Sequence, residues 1–240
     1  MPNASEMLER VRECEAVVFD LDDTLYLERE YVRSGARAVG RWLAGALGLD
    51  PVLTSAELGE TAARNPTGDP FGRWLRARRL NAERWLPEVL ERYRAHVPAI
   101  RLEPGIERLL TRLGRRRKLG IVSDGRFSQQ RLKVEALGLD RRVSAIVLSD
   151  ELGRDAWKPC PRPYQLALEL LGESAGRAVY VADNPAKDFL GARRAHMLSV
   201  RLRRRGGLHS HREPAEDCAR PDLEARNLSE LTRILCGRRT

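Results

Sequence analysis

The sequence predicts an α/β protein, a parallel sheet of Rossmann-like build with an α-helical segment inserted near its start. Three observations predict it. Short apolar runs of strand character recur at 16–19, 119–122, 145–148, 178–182 and 198–202, with a weaker sixth near Leu223. Helix-patterned segments of about ten residues or more lie between them, and that alternation builds βαβ units around a parallel sheet. One stretch, 27–103, breaks the alternation, because it carries helical patterns and no convincing strand.

The first run, Ala16-Val-Val-Phe, is continuously apolar, as expected of a strand covered on both faces. Within the insert, 31–47 repeats apolar residues at Val32, Ala36, Val39, Leu43 and Leu47, and 71–80 and 82–97 are rich in Arg, Leu and Trp. Between them, 50–69 holds Pro51, Gly59, Pro66 and Gly68 and is expected to be partly loop. Helical spacing resumes over 106–113 after Pro104-Gly105. It recurs over 127–137, which stops at Gly138, and over 163–171, which stops at Gly172; glycine suits a helix end. A last such segment, 189–195, follows the fourth strand. These boundaries divide the chain into a core of residues 1–26 with 104–240 and a helical cap of residues 27–103. Inserted straight after the first strand, the cap would lie above that strand's carboxyl end, where such sheets bind ligands, and would act as a lid.

Apolar residues at 42% and charged ones at 32% suit a globular protein with a sizeable core. No apolar run approaches the ~20 residues of a membrane span. The start, Met-Pro-Asn-Ala-Ser-Glu, has no signal-peptide pattern, so a cytoplasmic location with no membrane partner is expected. Four scattered cysteines without Cys-x-x-Cys spacing argue against structural zinc and a disulfide framework. His209 and His211 sit in a Gly/Arg/Ser-rich stretch that reads as surface loop. The net charge of +9 raises nucleic acid as a partner, but only four of the 43 basic residues are lysines, and the arginines spread over the whole chain. No aromatic residues interleave with the clusters at 115–118 and 201–205, as a stacking platform would require, so nucleic acid is not the expected partner. In the cap, Arg41, Trp42, Arg73 and Trp74 lie at helical spacing and read first as packing, with substrate contact as the alternative.

The chemistry-bearing residues stand at strand ends. Asp20 and Asp22 follow the first strand two residues apart, so both side chains can project beyond it together, with Thr24 another step on. Two such carboxylates at 4 Å repel by about 4 kcal/mol at an effective dielectric of 20, a cost that a cation or substrate would relieve. An Asx-rich turn would equally account for that segment taken alone. Ser123 follows the second strand, with Asp124-Gly125 behind it, where a hydroxyl and backbone amides can hold a phosphate oxygen or begin a helix. Asp183 ends the fourth strand and Asp188 follows five residues later, acids that suit oxygen-loving Mg²⁺ or a helix cap. Lys158 lies in a proline-rich turn after the third strand. In a chain that writes nearly every cation as Arg, a lysine there suggests a need for a compact point charge. Lys187 reads as solvated helix surface.

Joined in order, Asp20-x-Asp22-x-Thr24, Ser123, Lys158 and Asp183-x₄-Asp188 resemble the haloacid dehalogenase-like (HAD) hydrolase superfamily over residues 16 to 235, and the insert resembles its helical C1-type cap. The resemblance implies the HAD fold and a Mg²⁺-dependent phosphatase working through an aspartyl phosphate. Asp20 would be the nucleophile and Asp22 the acid and then the base. Lys158 would neutralise charge, and Ser123 with the following amide of Asp124 would bind phosphoryl oxygens. Asp20, Asp183 and the carbonyl of Asp22 would hold Mg²⁺, Thr24 would steady the loop, and Asp188 would orient Lys158 or a metal-bound water. Members that cleave carbon–halogen bonds lack the second Asp, so Asp22 favours phosphate chemistry; Asp23 is read as a bystander. Ala182 departs from the usual Gly and is expected to alter packing only slightly. The implied substrate is a small phosphorylated metabolite, a sugar phosphate or nucleoside monophosphate. A phosphomutase of the same superfamily and a non-catalytic binding protein on this fold are the alternatives.

Overall fold

A computed structural model describes residues 3–64 and 68–237. The chain divides into two compact units, residues 1–27 with 101–240 and residues 28–100.

The first unit is built on six strands, β1 (Ala16–Phe19), β2 (Lys118–Ser123), β3 (Ala145–Leu148), β4 (Ala178–Ala182), β5 (Leu198–Leu202) and β6 (Leu223–Ala225). They pair in the order β3-β2-β1-β4-β5-β6, and every pairing is parallel. The runs of β1, β3 and β4 are apolar because helices cover the sheet: α1 (Ala4–Glu13), α6 (Pro104–Leu113), α7 (Phe127–Ala136), α8 (Arg162–Leu171), α9 (Asp188–Arg194) and α10 (Leu228–Cys236). One core layer packs Val18, Val122 and Tyr180 of the sheet against Tyr164 and Phe189 of α8 and α9. Register then sets the site. Phe19 lies opposite both Ile121 and Val181, so Asp20, Ser123 and Asp183 emerge from adjacent strand ends on one edge.

Among the described residues the second unit holds four helices, α2 (Glu28–Leu47), α3 (Pro51–Arg64), α4 (Pro70–Ala77) and α5 (Ala82–Ala95). Val39, Leu43, Leu58, Phe71, Leu75 and Val89 fill its core. Trp74 belongs to that core and donates its indole N–H to Glu57, while Trp42 packs edge-on against Trp85 at 6.0 Å. Arg41 and Arg73 are exposed.

One expectation needs correction, and one helix was not foreseen. Residues 51–64 form a helix where partial loop was expected. Asp50 accepts hydrogen bonds from the amides of Val52 and Leu53, both at 2.8 Å, and Pro51 opens the first turn, so that proline marks a helix start rather than a break. Thr54, Leu58 and Ala62 then repeat at four-residue steps to give the buried face. Pro66 lies outside the described residues. The unforeseen helix is α1, whose sign was present in Asn3 and Glu6, a reciprocal capping box. Among the described residues no helix is long and apolar enough to cross a membrane.

Gly191 shows how tightly the layers close on the site. A Cβ there would come within 2.6 Å of the Tyr164 ring, which is fully buried and donates its hydroxyl to the Asp188 carbonyl at 2.8 Å. Gly191→Ala is therefore expected to destabilise by about 1–3 kcal/mol in urea unfolding, overpacking outweighing the ~1 kcal/mol that alanine gains as a helix former.

Candidate active site

Asp20 leaves β1 with its amide bonded to the Val181 carbonyl at 2.9 Å, so the sheet's hydrogen bonding continues to the residue that carries the carboxylate. Lys158 Nζ reaches it. The ammonium stands 2.5 Å from Asp20 Oδ1, 2.7 Å from Asp188 Oδ1 and 3.0 Å from the Tyr180 hydroxyl, and its side chain is wholly buried. Tyr180 in turn donates to Asp188 Oδ1 at 3.3 Å, and Asp188 Oδ2 accepts from the Asn184 amide at 3.0 Å. Burial works against the Lys158 ammonium, but Asp188 and Asp20 outweigh it and hold its pKa well above the ordinary value.

One ammonium is not enough for this corner. Asp20, Asp183 and Asp188 each bring a carboxylate oxygen within 4.8 Å of the others, and all three residues are buried. Burial pushes Asp20 up to about 6 in spite of Lys158. Burial first, then Asp20 and Asp188, push Asp183 up to about 9. Asp183 Oδ2 is buried without a hydrogen-bond partner. Three hard oxygen donors, a deficit of positive charge and an orphaned carboxylate oxygen fit a divalent cation. His209 and His211 take no part in this group; burial lowers the His209 pKa, and its carbonyl accepts from Arg201.

Asp22 faces another way. Its carboxylate accepts from Lys133 Nζ at 2.7 and 2.9 Å, from Gln130 Nε2 at 2.9 Å and from the Tyr26 hydroxyl. Burial would raise its pKa, but Lys133, then Tyr26 and Gln130, hold it below the usual carboxylate range. Ser123 Oγ is buried and accepts from the same Gln130 Nε2 at 2.7 Å. Asp124 accepts from the Lys158 amide at 3.2 Å and pairs with Lys187 at 3.3 Å. Lys187, expected on a solvated surface, is half-buried, and with Lys158 it holds Asp124 low against the effect of burial.

Thr24 places its hydroxyl in the interior without a partner, while its carbonyl accepts from Arg204 at 3.2 Å. Asp23 is no bystander in the architecture. It adopts φ 54°, and its Oδ2 accepts from the Leu208 amide at 2.7 Å. Lys133, Gln130, Tyr26 and Tyr180 were not foreseen from sequence. Lys133 had a readable sign, being one of only four lysines and buried with Gln130 one turn earlier on the same helix. Tyr180 had a fainter one, a hydroxyl in the middle of an apolar strand.

The haloacid dehalogenase-like hydrolase family matches residues 14–196, a span that runs from before Asp20 to beyond Asp188. A protein of Methanopyrus kandleri named glyceraldehyde 3-phosphate phosphatase is 32% identical over 92% of this chain and 96% of its own length. Among solved structures, a HAD phosphatase from Thermococcus onnurineus is 28% identical, with TM-score 0.57 over 94% of this chain and all of its own. A 2-haloacid dehalogenase from Pseudomonas syringae is 26% identical, with TM-score 0.62 over 92% of this chain and 97% of its own. Matched along most of its length, with the acids and the lysine at the ends of β1, β4 and the segment after β3, this chain belongs to the haloacid dehalogenase-like hydrolase family.

Proposed function

We propose that this hydrolase is a Mg²⁺-dependent phosphatase of small phosphate monoesters that works through an aspartyl phosphate. The observation that carries it is the pairing of two differently held carboxylates at the end of β1, Asp20 against Lys158 and Asp22 against Lys133. A carbon–halogen hydrolase has no use for the second acid, whereas a phosphate ester needs its leaving oxygen protonated. The Methanopyrus kandleri relative supports a three-carbon sugar phosphate as the first substrate to test. Residues 28–100 would serve as the cap that selects it, and four free cysteines fit a reducing cytoplasm.

In this reading Asp20 attacks phosphorus and the bond to the leaving oxygen breaks, giving an aspartyl phosphate. Asp22, held ionised at rest, takes up the proton of the monoprotonated ester and delivers it to the leaving oxygen. It then removes a proton from the water that attacks the intermediate, which frees phosphate and restores Asp20. Ser123 and the Asp124 amide hold phosphoryl oxygens. Lys158 offsets the repulsion between two anions, and Asp188 with Tyr180 fixes it in place. Asp20, Asp183 and the main-chain carbonyl of Asp22 would hold Mg²⁺, which supplies further positive charge against those oxygens when bound.

Mg²⁺-dependent release of phosphate from a panel of phosphorylated metabolites tests the activity. Asp20→Asn is expected to lower kcat by at least about 10⁴-fold, and retained turnover in that variant would remove Asp20 from the nucleophile's role. The metal site has a readout independent of turnover. Mg²⁺ at a hundred times its Kd should stabilise the wild type by about 2.7 kcal/mol. Asp183→Asn should lose that gain. In chelator the same variant should melt higher than the wild type, because one of three crowded carboxylates is gone.

A further inference from the structure

Helix α7 brings two side chains to the end of β1 that no expectation about the reaction had placed there. Gln130 and Lys133 stand three positions apart, so they share one face of the helix, and both are buried, at 2% and 4% exposure. A lysine this deep is costly unless its charge is answered, and Asp22 answers it with both oxygens, at 2.7 and 2.9 Å. Gln130 uses a single nitrogen for two acceptors, Ser123 Oγ at 2.7 Å and Asp22 Oδ2 at 2.9 Å. Its amide therefore ties the hydroxyl after β2 to the carboxylate after β1. Tyr26, on the loop that bears Asp22, closes the remaining side.

We propose that Lys133 and Gln130 are positioning residues for the acid–base step, fixing the carboxylate of Asp22 beside Ser123 so that it meets the leaving oxygen of a phosphate held there. The inference rests on the phosphatase reading and adds two residues to it. Neither side chain needs to touch the substrate. Lys133 fixes the carboxylate's plane through two contacts, and Gln130 fixes its distance from the phosphate-binding hydroxyl. A salt bridge that served stability alone would not require the second tie.

The consequence is selective for the leaving group. A 4-nitrophenolate departs without a proton, whereas an alkoxide needs one, so a misplaced acid harms alkyl esters far more. Alcohol release is followed in single turnovers, which isolates the first step, using 4-nitrophenyl phosphate and glycerol 3-phosphate with the full-length Mg²⁺-loaded enzyme. Asp22→Asn and Lys133→Met are expected to slow release from glycerol 3-phosphate by about 100-fold or more, and from the nitrophenyl ester by less than about 10-fold. Lys133→Arg, which keeps the charge, should recover most of the loss. Equal slowing of both esters by Lys133→Met, or none, would overturn the proposal. Should Lys133→Met fail to fold, Gln130→Leu carries the same comparison, selective loss supporting it and uniform loss overturning it. If the wild type releases alcohol from neither ester, the phosphatase reading itself fails and this inference with it.

Discussion

At the carboxyl ends of β1 and β4, three buried carboxylates share one buried ammonium, and much of the core is arranged around that imbalance. Like charges a few ångströms apart repel by several kcal/mol in a protein interior, so such a cluster persists only where the surrounding structure holds it. Here the sheet holds Asp20 through its own amide, α9 holds Asp188 against the Asn184 amide, and Tyr180 supports both Lys158 and Asp188. The buried tyrosines extend that support outward. Tyr164 stacks edge-on against Tyr180 at 4.8 Å and bonds the first turn of α9. A corner with surplus negative charge is poor for stability and well suited to receiving a cation.

The site is also a statement about register. Side chains alternate along a strand, so sliding β4 by one residue against β1 would turn Asp183 to the opposite face and dissolve the cluster while leaving an equally well-bonded sheet. What prevents the slip is the packing of Val18, Tyr180 and Ala182 into the layer beneath α8 and α9.

Five strands, the helices between them and the position of the insert were legible in sequence because apolar runs and their spacing report burial directly. Asp20, Asp22, Ser123, Lys158, Asp183 and Asp188 were legible as residue types at strand ends. Apart from Asp188 with Lys158, which the family resemblance implied, which carboxylate meets which cation was not legible, since it depends on side-chain direction across strands and helices. The lysines illustrate the boundary. In a chain that spends arginine on its surface, three of the four lysines end in ion pairs with acids of the site, Lys133 with Asp22, Lys158 with Asp20 and Lys187 with Asp124. Scarcity flagged Lys158 correctly. The same reasoning applied to Lys133 and Lys187 would have flagged them as well, but Lys133 was passed over and Lys187 was read as solvated helix surface.

The latch on Asp23 reaches beyond chemistry. Leu208 and Arg204 grip the loop after β1 from positions that follow β5, and Arg204 is itself tied to Glu103 at 2.5 Å. These residues lie past the segment by which the family is recognised, which ends at residue 196. The hold on the loop that carries Asp20 and Asp22 is thus borrowed from nearly two hundred residues downstream. A chain cut after β5 would keep Asp20, Asp22, Lys158 and Asp183 and lose the contacts that hold the loop after β1, so the boundary of the working enzyme is wider than the boundary of its motifs.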